Sequence, residues 1–516
     1  MNNPIYSHIP SLTKAQQYFE RRDISIIVLS LMMAAYLATI LLISLFRESV
    51  FRYGSTDLTC YVQAIWKIAN GNIPYQTIYE SNIFLGAHFM PIGYVLGVMF
   101  RLFPSNSFLI ILQAFAFTIG AVPLFLLAKD VLGSKGWGLA IAFLYLTYYP
   151  LYQSNLFDFH PEKLCIPFLL FGFYFMHSNR KWLSLIFIIL ALSCKEYFSF
   201  SVLALGIFYF FRYRQKQLGL VVTCISILWL VMAYKIVMPQ FGKEGMAESF
   251  EILFPFADRS GLNAIIYLFT HPGFIISRVF RIEVASYLLA FFSPLLFIPL
   301  MGIEYLIPAL PILGINILAN FNRHLAMDSQ YQVFVFPFIF IALIFGIERI
   351  KRWLREYKRP SYYLTMILVF LILLLNFNSY RYYPYKVKQS YQLRQEYVSH
   401  SRILALEIAK IPADAKVACE FMLTPYFAKR AYVYSIITPY HLRRDNLYKN
   451  FGIADRDWFI KKTIDYIVLD KNYNFHWIEE AKNKRNESIA DIESSRNYEK
   501  KFDNDGLIIF RAKGKN

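Results

Sequence analysis

The ionisable residues of this chain gather in a few short stretches between long apolar runs. Lys195-Glu196 interrupts the apolar stretch 182–211. That stretch is too long for one membrane span and each half is short for a full one, so the chain should turn back at Lys195-Glu196. Ionisable side chains at or just below a membrane interface face a cavity and are functional by default. The plain alternative is an ion pair that anchors the turn. A second cluster reads Asn155-Leu156-Phe157-Asp158-Phe159-His160-Pro161-Glu162-Lys163. Taken singly, Pro161 opens a helix, His160 caps it and Glu162 is an acid favoured by the helix dipole. Capping does not require an Asp, a His and a Glu within five positions at the mouth of an apolar bundle. The third stretch, Tyr53-Gly54-Ser55-Thr56-Asp57-Leu58, leads into apolar residues at 58, 61, 62, 65, 66 and 69, which share one helical face. Asp57 at its start is either the N-cap or a carboxylate held at the membrane surface as a base or metal ligand, and the two roles are compatible. The helix itself should lie on the membrane with Tyr61 and Trp66 at the interface. His88, beside Pro91 in Gly86-Ala87-His88-Phe89-Met90-Pro91, reads alone as a local cap or turn residue. Asn322-Arg323-His324 with Asp328 opens a further loop, where Arg323 suits an anion such as a phosphate or a lipid headgroup.

What must position these residues is a membrane bundle. The chain has 516 residues, 57% hydrophobic and 17% charged, where soluble chains carry roughly a quarter charged residues. Apolar runs at 24–46 and centred near 116, 145, 170, 188, 204, 228, 293, 311, 340 and 370 make about eleven spans by the length criterion. The polar stretch before residue 24 and the full-length run after it do not form a cleavable signal. The net charge of +18 lies in clusters between apolar runs, the pattern of topology determinants, and no nucleic-acid motif accompanies it. Five cysteines without a CxxC point to neither a disulfide framework nor a zinc site.

The segment 89–103 is apolar but short and contains Pro91, Gly93 and Gly97, which suits a re-entrant or interfacial helix. If it does not cross, Lys129/Lys135, Arg180/Lys181, Arg212/Arg214/Lys216 and the basic cluster 349–359 all face the cytoplasm together with the N-terminus. The loops 47–87, 154–162, 239–283 and 319–330, the Lys195-Glu196 turn and everything after about residue 380 are then extracytoplasmic. The tail is polar, with β-type runs at 416–419, 431–437, 464–469 and 506–510 between charged stretches, so a small α/β domain is expected over 381–516 beyond a membrane domain over 1–380.

Together the motifs Asp57-Leu58, Gln63-Ala64-Ile65-Trp66, Gly86, His88-Phe89, Pro91, Asn155 to Glu162, Lys195-Glu196, Arg323-His324 and the tail stretch 415–430 resemble a prokaryotic membrane family catalogued as a domain of unknown function (number two thousand and seventy-nine). More distantly, the layout is similar to the GT-C glycosyltransferases, which use polyprenyl-phosphate-linked sugars. Those proteins place an early acid and a His-Pro element in a long first outer loop, and many add an outer C-terminal domain. The resemblance implies Asp57 as the first-loop acid, His88 with Pro91 as the His-Pro element and Asp158 as the second-loop acid. The chain departs from the pattern in having a single first-loop Asp and an Asp-Phe-His-Pro second loop. The expected activity is transfer of a sugar from a polyprenyl-phosphate carrier to an envelope acceptor, with a divalent metal as a candidate cofactor. Asp57 is the expected base. Lys195, Arg323 and His160 are expected to meet the leaving phosphate, with Glu196 orienting Lys195 and with Glu162 and His324 in the binding group. The rival expectation is a transporter or lipid flippase that does no bond chemistry.

Overall fold

The computed structural model describes residues 24–78, 84–241, 254, 261–320, 322–356, 377–436, 464–472 and parts of 486–514. The expected span near 370, the N-terminal 23 residues and much of the 239–283 loop lie outside the described residues. The chain is mostly helical. In order its main helices are α1 (Ile24–Glu48), α2 (Thr56–Ala69), α3 (Ile92–Leu102), α4 (Asn106–Leu132), α5 (Lys135–Thr147), α6 (Cys165–His177), α7 (Lys181–Leu192), α8 (Phe198–Arg212), α9 (Lys216–Phe241), α10 (Ile282–Phe292), α11 (Ile298–Leu318), α12 (Val335–Glu356) and α13 (Phe377–Ala409). Among them α1, α4, α9 and α11 are long and apolar enough to cross a membrane.

Local chemistry sets the boundaries. Ser55, Ser105 and Ser134 cap α2, α4 and α5 through their side chains. Gly133, at φ +78°, ends α4 in the left-handed conformation that glycine tolerates best. Val335 to Ile344 of α12 are buried on every face, which makes that helix the centre of the bundle. A turn over residues 193–197 separates α7 from α8, at the place where the chain is expected to turn back. The short segment before α4 forms only the 11-residue α3, about half the length needed to cross a bilayer.

Helix α2, expected at the membrane interface, is covered by protein along most of its length. Tyr61 is 7% exposed, and ten of the helix's residues are buried, Gln63 and Lys67 among them. One side packs on α3, so closely that a Cβ at Gly97 would stand 2.4 Å from Ile68 Cγ2. The polar side docks on the C-terminal region. Thr59 and Thr424 share a hydroxyl bond of 2.6 Å, Gln63 Nε2 donates to the Arg430 carbonyl (3.2 Å) and Lys67 Nζ to the Ala431 carbonyl (3.1 Å). Periodicity reports a polar face but not what covers it.

The C-terminal sheet has five strands: β1 (Val417–Cys419), β2 (Val433–Ser435), β3 (Tyr466–Asp470), β4 (Tyr498–Asn504) and β5 (Leu507–Ala512), in the order β2-β1-β3-β5-β4. β1 is parallel to β2 and β3, and β5 is antiparallel to β3 and β4. Four strands fall on the expected runs. The fifth, β4, is a charged edge strand closed onto β5 by Asp505-Gly506, both at positive φ (+50° and +78°), the backbone a two-residue type I′ hairpin demands.

Candidate functional site

Four segments bring the expected residues together: the start of α2, the loop 157–164, the turn 193–197 and the residues just before α3. The first contact is made by Ser55. As N-cap its Oγ accepts from Asp57 N (3.4 Å), and its hydroxyl donates to Asp158 Oδ2. Asp57 is therefore not the cap but stands in the first turn, where the helix dipole favours a carboxylate. Asp57 and Asp158 become neighbours with different surroundings. The Asp57 side chain is 39% exposed, whereas Asp158 is buried. Burial, and secondarily the Asp57 charge, push the pKa of Asp158 up against the Ser55 bond, His160 and Lys163.

His160 faces Asp57. Its Nδ1 lies 2.9 Å from the Asp158 carbonyl, an acceptor only, so Nδ1 donates. This turns Nε2 towards Asp57 Oδ2 at 3.6 Å. The imidazole is only 1% exposed and is clamped by stacking on Phe157 (5.4 Å between centroids) and by the edge of Tyr61 (5.0 Å). One helical turn beyond Asp57, Tyr61 donates to Glu162 Oε2 (3.4 Å). Glu162 Oε1 in turn is 3.6 Å from Lys195 Nζ, with both side chains buried. Burial acts to raise the pKa of Glu162, but Lys195, His160 and His88 outweigh it and hold the group below its ordinary value. Beside Lys195, Glu196 Oε1 is 3.1 Å from His88 Nδ1 and its Oε2 accepts from Phe89 N (3.2 Å). Burial likewise opposes ionisation of Glu196, and His88 then Lys195 keep its pKa low. The result is an alternating series of acids and bases: Asp57, His160, Glu162, Lys195, Glu196, His88. Its two ends, Asp57 and His88, are about a third exposed and its middle is buried.

Arg323 and His324 separate. Arg323 Cζ lies 5.1 Å from the centre of the Phe157 ring, the ring on which His160 stacks, and its guanidinium is 3.4 Å from Asp328. His324 meets Tyr331 and α11 instead of the Phe157 ring. It stacks on Tyr331 at 3.7 Å and its Nδ1 donates to Asn316 Oδ1 (3.0 Å), and burial pulls its pKa down to about 4. There it ties the loop before α12 to α11.

Two supports were not singled out from sequence. Gln113 of α4 accepts from His160 N (3.2 Å) and donates to the carbonyls of Asn155 (2.9 Å) and Phe157 (3.0 Å). Its signal is a lone amide in the run Phe-Leu-Ile-Ile-Leu-Gln-Ala-Phe, where a polar group at lipid depth needs a partner. Lys163, 0% exposed, donates to the carbonyls of Ser154, Phe157 and Asp158 (2.7, 3.1 and 2.8 Å). Burial lowers its pKa to about 7 against nearby acids. Together they fix the backbone that presents Asp158, His160 and Glu162. Among the described residues no group of three or more His, Cys, Asp or Glu side chains is placed to hold a metal ion. The acids are met by Ser, His, Tyr and Lys instead.

A family model described as "Predicted membrane protein (DUF2079)" matches residues 19–509. No curated protein matches the chain. Among solved structures, the crystal structure of ArnT from Cupriavidus metallidurans bound to undecaprenyl phosphate matches with a TM-score of 0.51 at 11% identity, covering 94% of this chain and 97% of that one. At that identity the likeness is one of fold.

Proposed function

Because the chain belongs to the DUF2079 family of predicted membrane proteins, we propose a multi-pass glycosyltransferase that moves a sugar from a polyprenyl-phosphate carrier to an envelope acceptor at the outer face of the plasma membrane. One observation carries the reading. The buried series of paired acids and bases ends at an exposed carboxylate, Asp57, on a fold like that of a protein crystallised with undecaprenyl phosphate.

In the proposed reaction the bond between the anomeric carbon and the carrier phosphate breaks, and the phosphate keeps the electron pair. A bond forms from the acceptor oxygen or nitrogen to that carbon, and the acceptor proton passes to Asp57. His160, with Nδ1 fixed on a carbonyl, holds Nε2 beside that carboxylate. Lys195, fixed by Glu162, and His88, fixed by Glu196, supply donors for the charge that develops on phosphate. Arg323 lies against the Phe157 ring, on which His160 also stacks. The positive-inside pattern supports the sidedness, and labelling of engineered cysteines near 158 and 325, but not near 132, 214 or 355, is its test.

The catalytic test is a product assay in nanodiscs with a polyprenyl-phosphate sugar. Ser55 keeps the helix cap in Asp57→Asn, so that variant should insert normally and bind donor. Its transfer should fall by about a hundredfold or more, the scale of general-base catalysis. Lys195→Ala should weaken donor binding. Full transfer by Asp57→Asn would remove the base assignment. The transporter reading draws on the same buried ionisable series. It predicts no transfer product from the wild type and substrate movement that depends on Lys195 and Glu196 more than on Asp57.

A further inference from the structure

A second ionisable group lies in the C-terminal region, apart from the proposed site. His400, on α13, is 6% exposed and sits between two carboxylates. Its Nε2 is 3.1 Å from Asp470 Oδ1 at the end of β3, and its Nδ1 is 3.0 Å from Asp505 Oδ2 in the β4–β5 turn. An imidazole carrying hydrogen on both nitrogens is a cation between the two acids, with Nδ1–H on Asp505 and Nε2–H at ion-pair distance from Asp470. The same Nδ1 is also 3.2 Å from the Asn472 amide nitrogen, which already donates to the Asp505 carbonyl (2.7 Å). A neutral ring therefore has a second arrangement at hand: Nε2–H stays beside Asp470, Nδ1 accepts from Asn472, and the Asp505 carboxylate, 42% exposed, goes to water.

The Asp470 side is anchored independently. Asp470 Oδ1 accepts from Asn472 N (2.9 Å), and Asp470 Oδ2 is 3.8 Å from Arg52. Arg52 also donates to the Asn472 carbonyl (3.2 Å) and lies over Tyr397. On the Asp505 side the turn backbone is tied by Asn472 to the Asp505 carbonyl (2.7 Å) and by Lys471 N to the Gly506 carbonyl (2.8 Å), whereas the Asp505 carboxylate reaches α13 through His400. Between α13 and that turn is a polar cleft of about 370 Å³, also faced by Glu396 and Lys471.

We propose that His400 is a proton-operated latch on this cleft: the charged ring holds the β4–β5 turn against α13, and loss of its Nδ1 proton releases the turn while Asp470 stays held. The neighbouring charges fit. Burial disfavours the charged ring, and Asp470 and Asp505 outweigh it and raise its pKa above 6.5. A raised folded-state value means that the latch contributes fully below about pH 6.5 and is lost as pH rises through the folded value.

The test is hydrogen exchange of the full chain in detergent between pD 6 and 9, with rates divided by the intrinsic exchange rate. Residues 498–512 should open more readily as pD rises, by up to about tenfold per unit, the limit for release of one proton. Residues 335–347 in the bundle core should stay flat. His400→Gln should abolish the slope, and Asp505→Asn, which removes one of the two acids that raise the His400 pKa, should move it to lower pD. A wild type without slope at 498–512 would overturn the latch, as would a slope that survives in His400→Gln. Should His400→Gln not fold, Asp505→Asn decides: a displaced slope supports the latch and an unmoved one rejects it.

Discussion

Replacing Lys195 with methionine leaves Glu162 as a buried carboxylate without its strongest opposing charge. Lys195 is 4% exposed and Glu162 1%, so water screens neither. Removing one partner of a buried pair costs about 3–5 kcal/mol, because the other charge is stranded. The sign with pH follows from the forces on Glu162. In the wild type, burial is outweighed by Lys195, His160 and His88, and the pKa lies below the ordinary 4.5. That group contributes stability above its unfolded pKa and loses it only as pH falls through the folded value. In Lys195→Met the main opposing charge is gone, burial prevails and the folded pKa rises above the unfolded one. The variant should then sit close to wild-type stability near pH 4 and fall further behind as pH rises from 5 to 8. Lys195→Met with Glu162→Gln should recover most of the loss, since a neutral amide can still accept from Tyr61. The assay is equilibrium unfolding in mixed micelles at several pH values, with both single variants and the double. A Lys195→Met penalty below about 1 kcal/mol, the range of exposed pairs, or a double variant no better than the single, would refute the buried-pair argument.

Other changes have opposite or smaller expected effects. Asp158→Asn keeps the Ser55 bond and removes a carboxyl whose pKa burial has raised. Stability at pH 7 should hold or rise, and melting temperature should depend less on pH between 4 and 7. Gln113→Leu leaves the His160 N–H and two carbonyls without their amide. It should lower stability by roughly 1–3 kcal/mol in thermal or denaturant unfolding and reduce transfer more than donor binding. Gly506→Ala combines a φ of +78° with a Cβ 2.7 Å from Asn472 Oδ1. It should raise exchange of residues 498–512 at every pD by more than the roughly 1 kcal/mol that a Gly-to-Ala change moves at a compatible site.

Much of the site was legible because buried charge is costly and so stands out against apolar sequence. Lys195-Glu196 in the stretch 182–211 and the Asp-Phe-His-Pro-Glu run were visible on that ground alone, and the structure joins them through Glu162 and Lys195, with His160 beside Asp57. Contacts that depend on three-dimensional choice among equals were not legible. Ser55, Thr56 and Asp57 are all good cap residues, and only the backbone shows that Ser55 takes the role. Part of the cover on the polar face of α2 comes from residues about 360 positions later, which no local pattern encodes. Strand β4 was hidden by its charges, since an edge strand need bury only one side. The Asp505-Gly506 pair that closes its hairpin was a readable signal that passed unused.

The docking of α2 imposes an order on biosynthesis. Lys67 and Ala431, which meet in the finished protein, are 364 residues apart. At about 5–20 residues per second, a ribosome needs roughly 20–70 s to make the second after the first. Through that interval Gln63 and Lys67 have only their local partners, Thr77 and the Tyr75 carbonyl, and Thr59 lacks Thr424. The ammonium of Lys67, whose pKa burial lowers to about 7, then gains its second carbonyl only when nearly the whole polypeptide has been made. A chain terminated before residue 424 would carry every acid and base of the proposed site and still lack the C-terminal partners of α2, the helix that carries Asp57.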